Sequence, residues 1–227
     1  MRVLGEACHA GGPVSSRSVP ANRGADAPRS WHVLLIGGGA GVGKSSLAFE
    51  LARHFEVGLT EVDDFQRVLE KMTTPRQYPV VHAYNLDPKG WRALDDRRKL
   101  DSIIAYGEVM SQALEPVLRN HLDGGIPTIY EGDFLLPSLA ARSSYCGQPA
   151  EGRVHGIFLY EDADQINRNF EAREGAPQPD RARVSSLYSE RLRVEAERHG
   201  QISIAARPWD TLVDRVLETL SVRDLSR

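Results

Sequence analysis

From Trp31 onward, short apolar runs alternate with stretches of helical period. The runs His32–Ile36, Val57–Val62, Ile126–Glu131, Val154–Tyr160 and Gln201–Ala205 read as strands, and helical segments separate them. The clearest helix pattern covers Arg97 to His121. There Ile103, Gly107, Met110, Leu114, Val117 and His121 recur at threes and fours, with Ile104 and Leu118 beside them. That stripe reads as core, and His121 at its end as a residue without chemistry. Five strands separated by helices predict an α/β domain with a parallel sheet covered on both faces. Ligand groups then gather at the carboxyl ends of the strands.

The opening thirty residues show neither period and are rich in Gly, Pro, Ser, Ala and Arg. They read as a disordered leader, residues 1–30, ahead of one domain at 31–227. No stretch approaches the roughly 18 apolar residues of a membrane span, and the leader lacks the apolar centre of a signal peptide. Composition changes the picture little. At 227 residues and 41% hydrophobic, the chain is long enough for one substantial core. A net charge of -3 gives no basic footprint for nucleic acid. Cys8 and Cys146 form neither a CxxC pair nor a metal cluster, and so read as free thiols in a reducing compartment, the cytoplasm.

The candidate chemistry begins directly after the first strand. Gly38-Gly39-Ala40-Gly41-Val42-Gly43-Lys44-Ser45, followed by Ser46, matches G-x-x-x-x-G-K-[ST] in full and leads into a helix. Glycine lets such a loop wrap an oxyanion with its amides inward, and the helix N-terminus adds its positive end. Lys44 is placed to reach the β- and γ-phosphates of a nucleotide, and the Ser45 hydroxyl to ligate Mg²⁺. The dinucleotide pattern G-x-G-x-x-G fails in every register of the loop. An Asn-Lys-x-Asp guanine reader and a Leu-Ser-Gly-Gly signature are absent.

The second strand runs into "TEVDDFQRVLE". A carboxylate there can take the proton of an attacking hydroxyl. Asp64 suits the N-cap of a helix beginning near Phe65, which leaves Asp63 as the base. The third strand ends in Glu131 and Asp133 around Gly132. Glu131 reads as the partner of magnesium or substrate, with Asp133 either sharing that role or capping a helix. Arg168, Arg173, Arg181 and Arg183 surround a Gly- and Pro-rich break, a pattern for a lid over residues 162–185. Arg168 and Arg173 are the residues expected to clamp the transferring group; a solvated face pairing with Glu161, Glu171 and Glu174 is the alternative. In "IAARPWDTL", Arg207 and Pro208 are placed to flank the base, and Trp209 reads as a packing anchor.

GGGAGVGKSSLA, EVDDFQRVL, IYEGD, an arginine-bearing lid and ARPWDTL together resemble the small-molecule kinases of the P-loop class. The resemblance is strongest to the 2-phosphoglycerate-kinase-like proteins, and more distant to chloramphenicol phosphotransferase and the zeta-toxin kinases. It covers about residues 31 to 221. It implies a three-layer P-loop sandwich with strand order 2-3-1-4-5, ATP and Mg²⁺ as cofactors, and transfer to a hydroxyl of a small molecule. The aspartate spacing in that group points to Asp63. The stretch from Met72 to Asp96 departs from the distant relatives and reads as an acceptor-binding insert. Its Arg76, Lys89 and Arg92 suit a phosphorylated acid such as 2-phosphoglycerate; its Tyr78, His82, Tyr84 and Trp91 suit a nucleoside or antibiotic, or simple packing. A regulatory ATPase or switch with no acceptor is the competing function. No membrane or nucleic-acid partner is expected.

Overall fold

The computed structural model describes residues 29–225, so the leader, apart from its last two residues, lies outside the described chain. Chain order runs β1 (Val33–Gly38), α1 (Lys44–Phe55), β2 (Gly58–Glu61), α2 (Val62–Met72), and the short helices α3 (Pro79–Leu86) and α4 (Pro88–Ala93). The long α5 (Asp96–Gly124) leads to β3 (Thr128–Glu131), one turn of helix α6 (Pro137–Ala140), and a small hairpin of β4 (Ser144–Tyr145) and β5 (Gln148–Pro149). Then follow β6 (Val154–Tyr160), α7 (Ala163–Glu174), α8 (Pro179–Arg198), β7 (Ile202–Ala205) and α9 (Leu212–Leu225).

The main sheet has the order β2-β3-β1-β6-β7, and every neighbouring pair is parallel. With the separate hairpin set aside, this is the 2-3-1-4-5 order. All six residues of β1 are buried. Successive side chains of a strand point to opposite faces. Leu34 and Ile36 therefore join Leu47, Leu51, Val216 and Leu220 of α1 and α9 in one core. Val33 and Leu35 join Met110, Leu114 and Leu118 of α5 in the other. Each buried Leu or Ile contributes roughly 1.5–3 kcal/mol. The result is three layers with β1 in the middle, its carboxyl end leading into the glycine loop.

Several boundaries differ from the sequence reading, each for a local reason. The second strand stops at Glu61, and Val62, apolar and in strand register, is the first residue of α2. A side chain on Gly132 would stand 2.6 Å from the Val62 Cβ, so the two segments meet at backbone distance. The N-cap of α2 is consequently Glu61, which makes no side-chain cap bond; Asp64 is not a cap but lies inside the first turn with Asp63. The third strand starts at Thr128, because Ile126 is exposed and Pro127 precedes the pairing. The long helix extends beyond both predicted ends: Asp95 caps its start by accepting from Arg98 N at 2.8 Å, and Gly125 at φ 62 ends it. His121 sits 3.0 Å from Thr128 Oγ1 and edge-on to Tyr130 at the turn into β3.

The 72–96 stretch forms two helices with proline at each first turn, held by Val81 in the core and by Tyr84 against Trp91. Cys146 corrects another expectation: it is disulfide-bonded, not a free thiol. Among the described residues, no helix is long and apolar enough to cross a membrane.

Candidate phosphate site

The loop between β1 and α1 opens on a cavity of about 590 Å³. Residues Ala40 to Ser46 form one wall. Asp63, Glu131, Gly132 and Asp133 form the next, and Asn169, Arg173, Arg181, Arg207 and Trp209 close the rest. Helix α1 begins at Lys44 with no side-chain cap and no acidic residue in its first turn. Its free amides and positive end thus face the cavity uncompensated, an arrangement suited to an anion. Gly43 holds φ 99, and an added Cβ would stand 2.4 Å from the Trp209 ring. Gly43→Ala is accordingly expected to weaken nucleotide binding at least about tenfold, since an L side chain strains that backbone. Calorimetric titration with ATP·Mg²⁺ checks this, and unchanged affinity would refute it.

Lys44 is almost fully buried, its Nζ donating to Gly39 O at 2.9 Å and pairing with Asp133 Oδ1 at 2.5 Å. The Ser45 hydroxyl donates to Glu131 Oε1 at 2.9 Å. Burial pushes the Glu131 carboxyl above its ordinary range, with Lys44 and the Ser45 hydrogen bond opposing. Asp63, in the first turn of α2, is also raised, by burial first and by the Asp133 charge second. Three carboxylates thus converge near one lysine. That excess of negative charge, with a hydroxyl between, fits Mg²⁺. Among the described residues no set of three carboxylates or imidazoles forms a complete cage, and Mg²⁺ ordinarily relies on substrate phosphates and water for its remaining ligands.

Helices α7 and α8 are joined by residues 175–178, with Gly175 at φ 79 ending α7. Arg173 Nη2 and Arg181 Nη1 both reach Glu174 Oε1, at 2.5 and 3.0 Å, and both line the cavity. Arg168 does not line it: the guanidinium folds onto Gln165 Oε1 at 2.9 Å. Five residues of helix separate Arg168 from Arg173, a rotation of about 140°, so the two cannot share a face. Arg183 turns to Asp96 and Asp180. Arg207 is in the cavity wall, 3.4 Å from Glu161 Oε2 and 3.3 Å from Asn169 Oδ1. Pro208, after a cis bond, does not line the cavity. Gly38 and Gly39 lie behind the wall. Arg76, Lys89, Arg92 and the insert's aromatics do not line it either. Asn169, Trp209 and the Lys44–Asp133 pair are site features that the sequence reading did not place.

No family model matches the chain. It is 32% identical over 112 residues to the 2-phosphoglycerate kinase of Pyrococcus furiosus, a match covering 46% of this chain and 36% of that protein. The 2-phosphoglycerate kinase of Methanocaldococcus jannaschii is 29% identical over 111 residues, 47% of this chain and 35% of the other. The matched region therefore spans little more than a third of these curated relatives. Among solved structures, a gluconokinase from Sinorhizobium meliloti aligns with a TM-score of 0.47 at 17% identity, covering 86% of this chain and 94% of the other. A shikimate kinase from Acinetobacter baumannii aligns with a TM-score of 0.47 at 14% identity, covering 87% and 95%.

Proposed function

We propose that the protein is an ATP-dependent kinase of a small molecule, moving the γ-phosphoryl group to an acceptor hydroxyl. The observation that carries this is the shared cavity: Lys44, the Asp63 carboxylate, Arg173 and Arg181 all line it. Ser45 and Glu131 would hold Mg²⁺, which when bound neutralises phosphate charge. The loop from Gly38 to Ser46 binds the phosphates, Arg207 flanks the nucleotide, and Lys44 gains in strength as charge develops on the leaving oxygen. Asp63 takes the acceptor's proton as its oxygen bonds phosphorus and the bond to the β-phosphate oxygen breaks.

The acceptor enters beside Asp63, while the 72–96 insert, lying outside the cavity wall, serves as support for α2 and α5. The names of the matched proteins make 2-phosphoglycerate the first acceptor to try. Incubation with γ-labelled ATP, Mg²⁺ and 2-phosphoglycerate, then with a pooled metabolite extract, should transfer label to a small molecule. Label released only as inorganic phosphate would favour the regulatory ATPase instead. The arginines supply a sharper check. Arg181→Ala should lower kcat by on the order of 10², with a smaller loss in ATP binding. Arg168→Ala should change kcat less than about threefold, because an exposed side chain bonded to its own helix is near neutral. Equal losses in the two variants would refute the assignment.

A further inference from the structure

The backbone of the phosphate-binding loop is tied down peptide by peptide. Gly39 O accepts from Lys44 Nζ at 2.9 Å, Ala40 O from Ser185 Oγ at 2.5 Å, and Gly41 O from Asn169 Nδ2 at 2.8 Å. Gly39 N donates to Ser189 Oγ at 3.0 Å, and that hydroxyl donates onward to Ser185 O at 2.9 Å. In a trans peptide the carbonyl and the following amide point in opposite directions. Holding the Ala40 carbonyl toward Ser185 of α8 therefore turns the Gly41 amide away from that helix, free for an incoming anion.

Those anchors sit on the lid helices in register with the arginines. On α7, Asn169 and Arg173 are four residues apart; on α8, Arg181, Ser185 and Ser189 follow at the same spacing. Residues four apart share a helix face. Each lid helix thus presents one arginine to the cavity and, one turn along, a polar side chain to the loop. Docking of the helices does not depend on these bonds, since Ile166, Phe170 and Ala182 already pack them into the core.

We infer that Asn169, Ser185 and Ser189 are positioning residues that fasten the arginine-bearing helices to the phosphate-binding loop, so that loop shape and arginine placement change together. This rests on the nucleotide reading above. Asn169 is only partly buried, and its Oδ1 also accepts from Gln165 Nε2 at 2.9 Å and Arg207 Nη2 at 3.3 Å, making it the junction of loop, lid and the segment after β7.

The test is calorimetric titration of ATP·Mg²⁺ into the full chain carrying Asn169→Ala or Ser185→Ala, with the melting temperature of the free protein alongside. Each change should lower ATP affinity about tenfold, the scale of one lost hydrogen bond at a charged ligand. The free Asn169→Ala protein should melt close to wild type, and it keeps the test decisive if Ser185→Ala does not fold. The double change Asn169→Ala with Arg173→Ala should lose less affinity than the two single losses combined, the mark of coupled sites. Wild-type affinity in Asn169→Ala, or single losses that simply add, would overturn this inference alone. A wild-type chain that binds no ATP would overturn it together with the proposed function.

Discussion

Replacing Lys44 with alanine is expected to lower phosphotransfer by on the order of 10³, the upper range for loss of one preorganised electrostatic donor. Lys44 Nζ lies within bonding distance of both the loop carbonyl of Gly39 and the Asp133 carboxylate, buried where charge interacts strongly. Its charge also lowers the raised pKa values of Asp63 and Glu131. Without it, both carboxyls should titrate still higher, and ionised carboxyls would face one another unrelieved. A carboxyl whose folded pKa exceeds its unfolded value contributes stability below the unfolded pKa and loses it as pH rises through the folded value. The melting temperature of Lys44→Ala should therefore fall furthest below wild type near pH 8, the gap narrowing toward pH 5. Undiminished transfer of label from ATP would reject the site. A gap independent of pH would reject the electrostatic account.

Asp63→Asn is expected to leave nucleotide affinity within a few-fold of wild type while transfer drops by roughly 10² to 10⁴, because the amide keeps the size but cannot accept the proton. The same sign rule gives an opposite effect on stability. Burial, then the charge of Asp133, raises the Asp63 carboxyl, so at neutral pH its ionised form is a cost to the fold. Asp63→Asn should melt above wild type at pH 7, and the advantage should disappear as acid protonates the native residue. Activity of the wild type should decline on the acid side at a pH above the ordinary carboxylate range. Asp64→Asn is the control, since Asp64 lies outside the cavity wall that Asp63 lines. Should Asp64→Asn abolish transfer while Asp63→Asn spares it, the base has been assigned to the wrong carboxylate.

Legibility in the sequence followed locality. The glycine-rich loop was readable because its residues are adjacent and belong to one strand-to-helix turn. The sheet order came from the resemblance, whereas the three-layer arrangement was already implicit in the alternation of strands and helices. At the second strand the pattern misled by one residue: Val62 has a strand's apolarity, yet its burial comes from the approach of Gly132, seventy residues away. That shift removed Asp64 from the cap and set Asp63 in the first turn of α2. The arginines show the same limit. Composition marked a lid, but helical rotation turned Arg173 to the cavity and Arg168 to Gln165. The spacing of Asn169 with Arg173, and of Arg181 with Ser185 and Ser189, was visible as four-residue steps. It acquired meaning only when α7 and α8 were seen against the loop.

By itself the sequence determined the fold class and the glycine-rich strand-to-helix loop, because periodicity and short-range backbone geometry are set by residues near one another in the chain. Only the tertiary structure decided which carboxylate and which arginines share a cavity with Lys44, that Asn169 and two serines brace the loop, and that the 72–96 insert lies outside the cavity wall. Those outcomes depend on how helices rotate and dock on the sheet. Docking is governed by the summed packing of Leu, Ile and Phe side chains contributed from distant segments, a balance that no short stretch of sequence contains.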